Sequence, residues 1–149
     1  MDPSGTAAVW RLLIAATGVN VTLARRLGLS VSDFSALDYV AQGQESGTQV
    51  GPTELAQHLG MSSASATALV DRMERAGHLQ RRPRADDRRR VLLEVSDATR
   101  EQIQAHLQPA LDALQQLTDR LSDHERGAVL NHLDGISTAL RSLGSTPAS

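Results

Sequence analysis

The chain has 149 residues, enough for one compact domain with an extension. Hydrophobic residues make up 40%, so a core can form, but aromatics are only 2% (Trp10, Phe34 and Tyr39). Leu, Val, Ile and Ala must therefore build that core, which favours helices. The absence of cysteine excludes disulfides, thiolate metal sites and thiol redox switches, and a net charge of −2 by itself points to no partner.

Residues 7–27 place Val9, Leu12, Leu13, Ala16, Val19, Leu23 and Leu27 at helical spacing, with Gly28 as the stop. Ser32 can cap a second helix carrying Phe34, Leu37, Tyr39, Val40 and Ala41, which Gly43 would end. Residues 42–51 are polar and Gly-rich and read as a loop, with room for a short extended piece at 48–50. A short third helix over 52–59 has Pro52 at its first position and Glu54 in its first turn, and Gly60 stops it. Ser62 caps a fourth helix to about Ala76, with Ala66, Leu69, Val70 and Met73 inward and Gly77 in the left-handed position beyond it.

The period then changes. Residues 79–84 and 90–95 can be extended, and the polar stretch between them turns the chain, so a hairpin is predicted. A long helix follows from Ser96 and Asp97 to about Arg120, with a stripe of Ile103, Leu107, Leu111, Leu114, Leu117 and Leu121. Pro109 lies inside it, and a kink is predicted there. Ser122 and Glu125 form a capping box for a last helix. In that helix Val129, Leu133, Ile136, Leu140 and Leu143 alternate spacings of four and three, a seam that wants a partner. The tail from 144 to 149 is small and polar. The expected fold is mainly α with a small β-hairpin wing. It is a winged helix-turn-helix lobe over 31–96, flanked by dimerisation helices over 1–30 and 97–149.

Charge is uneven along the chain. Arg72 to Arg90 holds eight arginines against three acids, a net +5, which leaves −7 for the remainder of the −2 total. A basic segment on an acidic body is the footprint of an anion-binding element. All 15 basic residues are arginine, which either reflects coding bias or favours phosphate recognition.

The start of the fourth helix carries Ser62, Ser63, Ala64, Ser65 and Thr67. Small hydroxyl side chains let a helix sit deep in a major groove, and Ala or a Thr methyl can touch a thymine methyl. Ser62 reads mainly as a cap. Ser63, Ser65 and Thr67 read as DNA contacts, the plainer alternative being a Ser-rich first turn that only caps. In the hairpin, Arg88, Arg89 and Arg90 can reach an adjacent minor groove. Neighbouring strand residues point opposite ways, so the three cannot share one task, and Asp87 can hold one of them in place. Arg72 can bind phosphate or make a salt bridge on the helix face.

These residues resemble the multiple-antibiotic-resistance regulator (MarR) family. The resemblance rests on Glu54-Leu55-Ala56, on Leu69-Val70-Asp71-Arg72-Met73-Glu74-Arg75-Ala76-Gly77, and on Asp87-Arg88-Arg89 followed by Val91-Leu92-Leu93-Glu94-Val95-Ser96. It covers nearly the whole chain. It implies a triangular homodimer whose first and last helices interlock, with two lobes reading a pseudo-palindromic operator in double-stranded DNA. It also implies a repressor released by a small phenolic or anionic effector. Base reading falls on residues 63–67 and the wing-tip arginine on Arg88 or Arg89. Peroxide sensors of the family use cysteine, which this chain lacks.

An effector pocket would draw on the first two helices, from Trp10, Leu13, Thr17, Phe34 and Asp38, of which Trp10 and Phe34 can equally be plain core. His124 and His132 lie two turns apart without ligand-spaced acids, so no metal is expected. No nucleophile–base motif, phosphate loop or HExxH is present, and neither an enzyme nor a cofactor is expected. No unbroken run of about 18 apolar residues exists, so no membrane span is expected. Residues 1–6 do not open a signal peptide, and the cytoplasm is the expected location. Two other functions remain open: a constitutive DNA-binding regulator without an effector, and a helical module that docks another protein.

Overall fold

The computed structural model describes residues 3–83 and 90–144. They fall into two compact units, 1–106 and 107–149. In chain order the elements are α1 (Pro3–Arg26), α2 (Val31–Ser46), α3 (Pro52–His58), α4 (Ser63–Arg75), β1 (Leu79–Pro83), β2 (Val91–Val95), α5 (Asp97–Thr118) and α6 (Asp123–Gly144).

Local signals set most boundaries. Ser62 Oγ accepts from the Ser65 N–H at 3.1 Å and caps α4. Gly77 follows α4 at φ 81°, a left-handed conformation that costs a residue with Cβ about 1–2 kcal/mol. At α6 the box closes both ways: Glu125 Oε2 accepts from the Ser122 N–H at 2.9 Å, and Ser122 Oγ accepts from the Glu125 N–H at 3.4 Å. The Ser122 hydroxyl, which also donates to Glu125 Oε2 at 2.7 Å, and then the Ser122 N–H hold the Glu125 carboxyl below its ordinary range. Helical assignment continues through Pro109 in α5.

The second helix departs from expectation at both ends. Ser30, not Ser32, is its cap, accepting from the Asp33 N–H at 3.0 Å, and the helix runs on past Gly43 to stop at Gly47, whose φ is 71°. Gly43 is buried because the following loop packs on it; a Cβ there would lie 2.5 Å from Val50 Cγ2. The expected extended piece at 48–50 is no strand, yet the Val50 carbonyl accepts from the Leu93 N–H at 2.8 Å and so borders the hairpin.

The hairpin is antiparallel, with Leu79 opposite Val95 and Pro83 opposite Val91. Leu79, Leu93 and Val95 turn inward. They complete a core with Phe34, Leu37 and Val40 of α2, Leu55 and Ala56 of α3, and Ala66, Leu69, Val70 and Met73 of α4. Leu55 is fully buried at 0% exposure. Leu55→Ala is expected to remove about 2–5 kcal/mol of stability, read by urea unfolding of the lobe; a loss below about 1 kcal/mol would contradict this packing.

Core burial is concentrated in the first unit. In α1, Leu23 and Ala24 are buried while Trp10 is 62% and Ile14 67% exposed. Gly5–Arg26 of α1 is long and apolar enough to cross a membrane by length and composition, with mean hydropathy 1.5. Gly, Thr, Asn and Arg11 interrupt the segment, so it holds no unbroken apolar run although it is apolar on average. In the second unit Leu111, Leu114, Leu117, Val129, Leu130, Leu133 and Leu140 are all exposed.

Candidate nucleic-acid interface

The turn between α3 and α4 is set by Gly60 at φ 62°, with the Met61 N–H donating to the Ala56 carbonyl at 3.0 Å. Burial of Leu55, Ala56, Ala66, Leu69 and Val70 then fixes how the two helices cross. This leaves Ser62, Ser63, Ala64, Ser65, Thr67 and Ala68 exposed on one short surface. Their hydroxyls are not equivalent. Ser65 Oγ lies 2.9 Å from Ser62 Oγ, so both belong to the cap. Thr67 Oγ1 donates back to the Ser63 carbonyl at 2.9 Å. Among the described residues, Ser63 alone of the four has no hydrogen bond from its hydroxyl.

Four of the five described arginines of the basic segment pair with carboxylates. Arg72 Nη2 pairs with Asp33 Oδ1 at 2.6 Å, which joins α4 to the first turn of α2. The salt bridge, one of the two readings of Arg72, is what its geometry displays, although the side chain remains 53% exposed. Arg90 Nη2 lies 3.3 Å from Glu54 Oε1, so this residue ties the base of β2 to α3, while its side chain remains 55% exposed. The cause is Glu54, whose other oxygen accepts from the Gly51 N–H at 3.0 Å. Arg82 Nε reaches Glu94 Oε2 at 3.3 Å. Asp87, Arg88 and Arg89 lie outside the described residues.

Sequence reasoning missed Arg81. Its Nη2 is 2.5 Å from Asp71 Oδ1, and its Nη1 donates to Glu74 Oε2, so one guanidinium on β1 holds two acids of α4. Burial removes some of its hydration, but the hydrogen bonds to Asp71 and Glu74 outweigh that and raise its pKa above the ordinary arginine value. No spacing rule joins a helix to the strand after it, so nothing in the sequence signalled this contact.

The residues expected to line an effector pocket, Trp10, Leu13, Thr17, Phe34 and Asp38, sit in different surroundings on α1 and α2. Phe34 is core and Trp10 is exposed. The Thr17 hydroxyl donates to the Leu13 carbonyl at 2.9 Å within α1. Asp38 accepts from Gln42 at 2.8 Å. Its carboxyl is pushed up by burial, against the opposing Gln42 hydrogen bond. Beside it Tyr39 stacks on His58 of α3, with centroids 3.7 Å apart and planes 6° from parallel. A cleft of about 470 Å³ does exist in the first unit, but it is lined by Arg26, Gly28, Asp33, Arg72, His78 and Gln102 among others.

Comparison with known proteins accords with this geometry. The family model described as the MarR family matches residues 27–90. The chain is 32% identical over 105 residues to the uncharacterized HTH-type transcriptional regulator YcgE of Bacillus subtilis, a match covering 68% of this chain and 64% of that protein. It is 32% identical over 114 residues to the transcriptional repressor MprA of Escherichia coli, covering 76% of this chain and 58% of that one. The matches thus span less than two thirds of these relatives. Among solved structures, a MepR mutant from a multidrug-resistant S. aureus clinical isolate superposes with a TM-score of 0.68 at 16% identity, covering 94% of this chain and 99% of that one. FabT of Streptococcus pneumoniae, solved in complex with DNA, gives 0.57 at 18% identity, covering 94% and 95%. At such identities the likeness is one of fold. The helix-turn-helix, β1 and the Leu69 to Gly77 stretch all fall inside the matched segment, and over it the chain is similar to the MarR family.

Proposed function

We propose that this protein is a sequence-specific regulator of transcription, a repressor that binds double-stranded DNA as a homodimer. The observation that carries the reading is the first surface of α4: small, exposed and hydroxyl-bearing, at the amino end of a helix that a helix-turn-helix core holds outward. Relatives named as a transcriptional regulator and a repressor support it, as does the likeness in fold to a protein solved on DNA. Residues 31–96 would form the reading lobe. The apolar faces left open on α1 and α6 are what a second copy would cover. Such a role would fit the cytoplasm, which is the proposed location.

Two places could take an effector: the set Trp10, Leu13, Thr17, Phe34 and Asp38, and the cleft beside Arg26, Arg72 and His78. In the cleft Arg26 and His78 could donate to a small anion, while Arg72 there is paired with Asp33.

In a gel shift on duplex covering the region upstream of its own gene, the protein is expected to give one complex holding two 16.0 kDa chains. Affinity should fall steeply with salt, by about 10³ or more between 50 and 200 mM if six or more phosphates are contacted. Absence of binding to any promoter fragment at low salt would defeat the reading.

A further inference from the structure

We propose that Arg81 is a positioning residue for DNA recognition, neutralising Asp71 and Glu74 so that the outward face of α4 can approach phosphates. The proposal rests on the DNA-binding reading above and assigns part of that site.

At 100° per residue, Ala64, Ala68, Asp71 and Arg75 share one stripe of α4, opposite the buried Ala66, Leu69, Val70 and Met73. The first two turns of that stripe are small enough for close approach to a groove. The next position is a carboxylate. Asp71 is 48% exposed and Glu74 is 41% exposed, so each would act on any phosphate within a Debye length of about 8 Å. Asp71 on this stripe and Glu74 at its flank oppose the function of the helix unless something cancels them.

Arg81 does so from outside α4. It stands on β1, the strand that enters the wing, and it spends both terminal nitrogens, one on each acid. Only a planar fork can do this; an ammonium is a point charge. Asp71 and Glu74 are exposed enough that each pair taken alone contributes only about 0–1 kcal/mol to stability. The cluster's larger effect is on the field at the protein surface, where like charge facing a partner costs affinity and on-rate. Arg75 carries no ion pair among the described residues and is left as the stripe's positive end.

The test uses a duplex selected by the full-length protein from a random-sequence library. Arg81→Ala is expected to bind that duplex about tenfold to a hundredfold more weakly at 50 mM salt. The deficit should shrink as salt rises, since its source is unscreened like charge. Adding Asp71→Asn and Glu74→Gln to Arg81→Ala should restore affinity to within about threefold of the wild type. The pair Asp71→Asn and Glu74→Gln alone, with Arg81 kept, should bind at least as tightly as the wild type. Wild-type affinity in Arg81→Ala, a triple variant as weak as Arg81→Ala, or tenfold weaker binding by the acid-free pair would each overturn the role. Failure of the wild-type protein to select any duplex would remove the DNA-binding reading, and this role with it.

Discussion

Leu133→Glu is expected to leave the protein monomeric and to weaken operator binding by at least about a hundredfold. Leu133 is 42% exposed, in a seam with Val129 at 44% and Leu140 at 38%, and nothing within the second unit covers it. Fully covering each such side chain is worth about 1.5–3 kcal/mol. In a symmetric pair the substitution enters twice, so two carboxylates would be desolvated at one interface. Each separated lobe would then meet a single half-site, and the gain from linked binding, about 10²–10⁴, would be lost. Light scattering gives the mass and a gel shift gives the affinity. Leu133→Ala should show a milder form of both effects. A Leu133→Glu protein that stays dimeric and binds DNA as the wild type does would show that the proposed interface lies elsewhere.

Gly51→Ala is expected to destabilise the lobe by about 2–4 kcal/mol, although its backbone is unstrained. Gly51 has φ −109° and ψ −179°, extended values open to any residue. The difficulty is space. A Cβ would lie 2.7 Å from the Val91 carbonyl oxygen and 2.8 Å from Glu54 Oε2. The first is backbone of β2, and the second belongs to the carboxylate that accepts from the Gly51 N–H and pairs with Arg90. One methyl group would therefore push the start of α3 away from the start of β2 and disturb the Arg90 anchor together. Gly60→Ala supplies the contrast. It has open space around it but φ 62°, so its cost of about 1–2 kcal/mol would be conformational. Urea midpoints of the two variants separate the causes, and a Gly51→Ala protein as stable as the wild type would refute the close contact.

The arginine segment acts less as a free cationic patch than its composition suggests. Arg72, Arg81, Arg82 and Arg90 all have carboxylate partners within the lobe. Among the described residues, these four arginines fasten helix to helix and strand to helix or strand. The surface offered to a partner is then shaped more by which acids are cancelled than by how many arginines are present.

Local chemistry made most of the fold legible from the residues alone. Ser62 before α4, Pro52 at the start of α3, Gly77 after α4 and the Ser122–Glu125 box each act within one helical turn, so neighbours in sequence suffice to read them. The same holds for the exposed row from Ser63 to Thr67, because the 3.6-residue period already separates it from Ala66, Leu69 and Val70. What the sequence misassigned was Gly43. As a letter it reads as a stop, but it is a contact: the loop carrying Val50 folds back onto a helix that continues to Ser46. The ion pairs were equally hidden, since Arg72 meets Asp33 across 39 residues and Arg90 meets Glu54 across 36. Whether a charged group faces a partner or a neighbour depends on which distant segments the apolar core draws together. That is a property of packing in three dimensions, to which the order of residues along the chain gives no local clue.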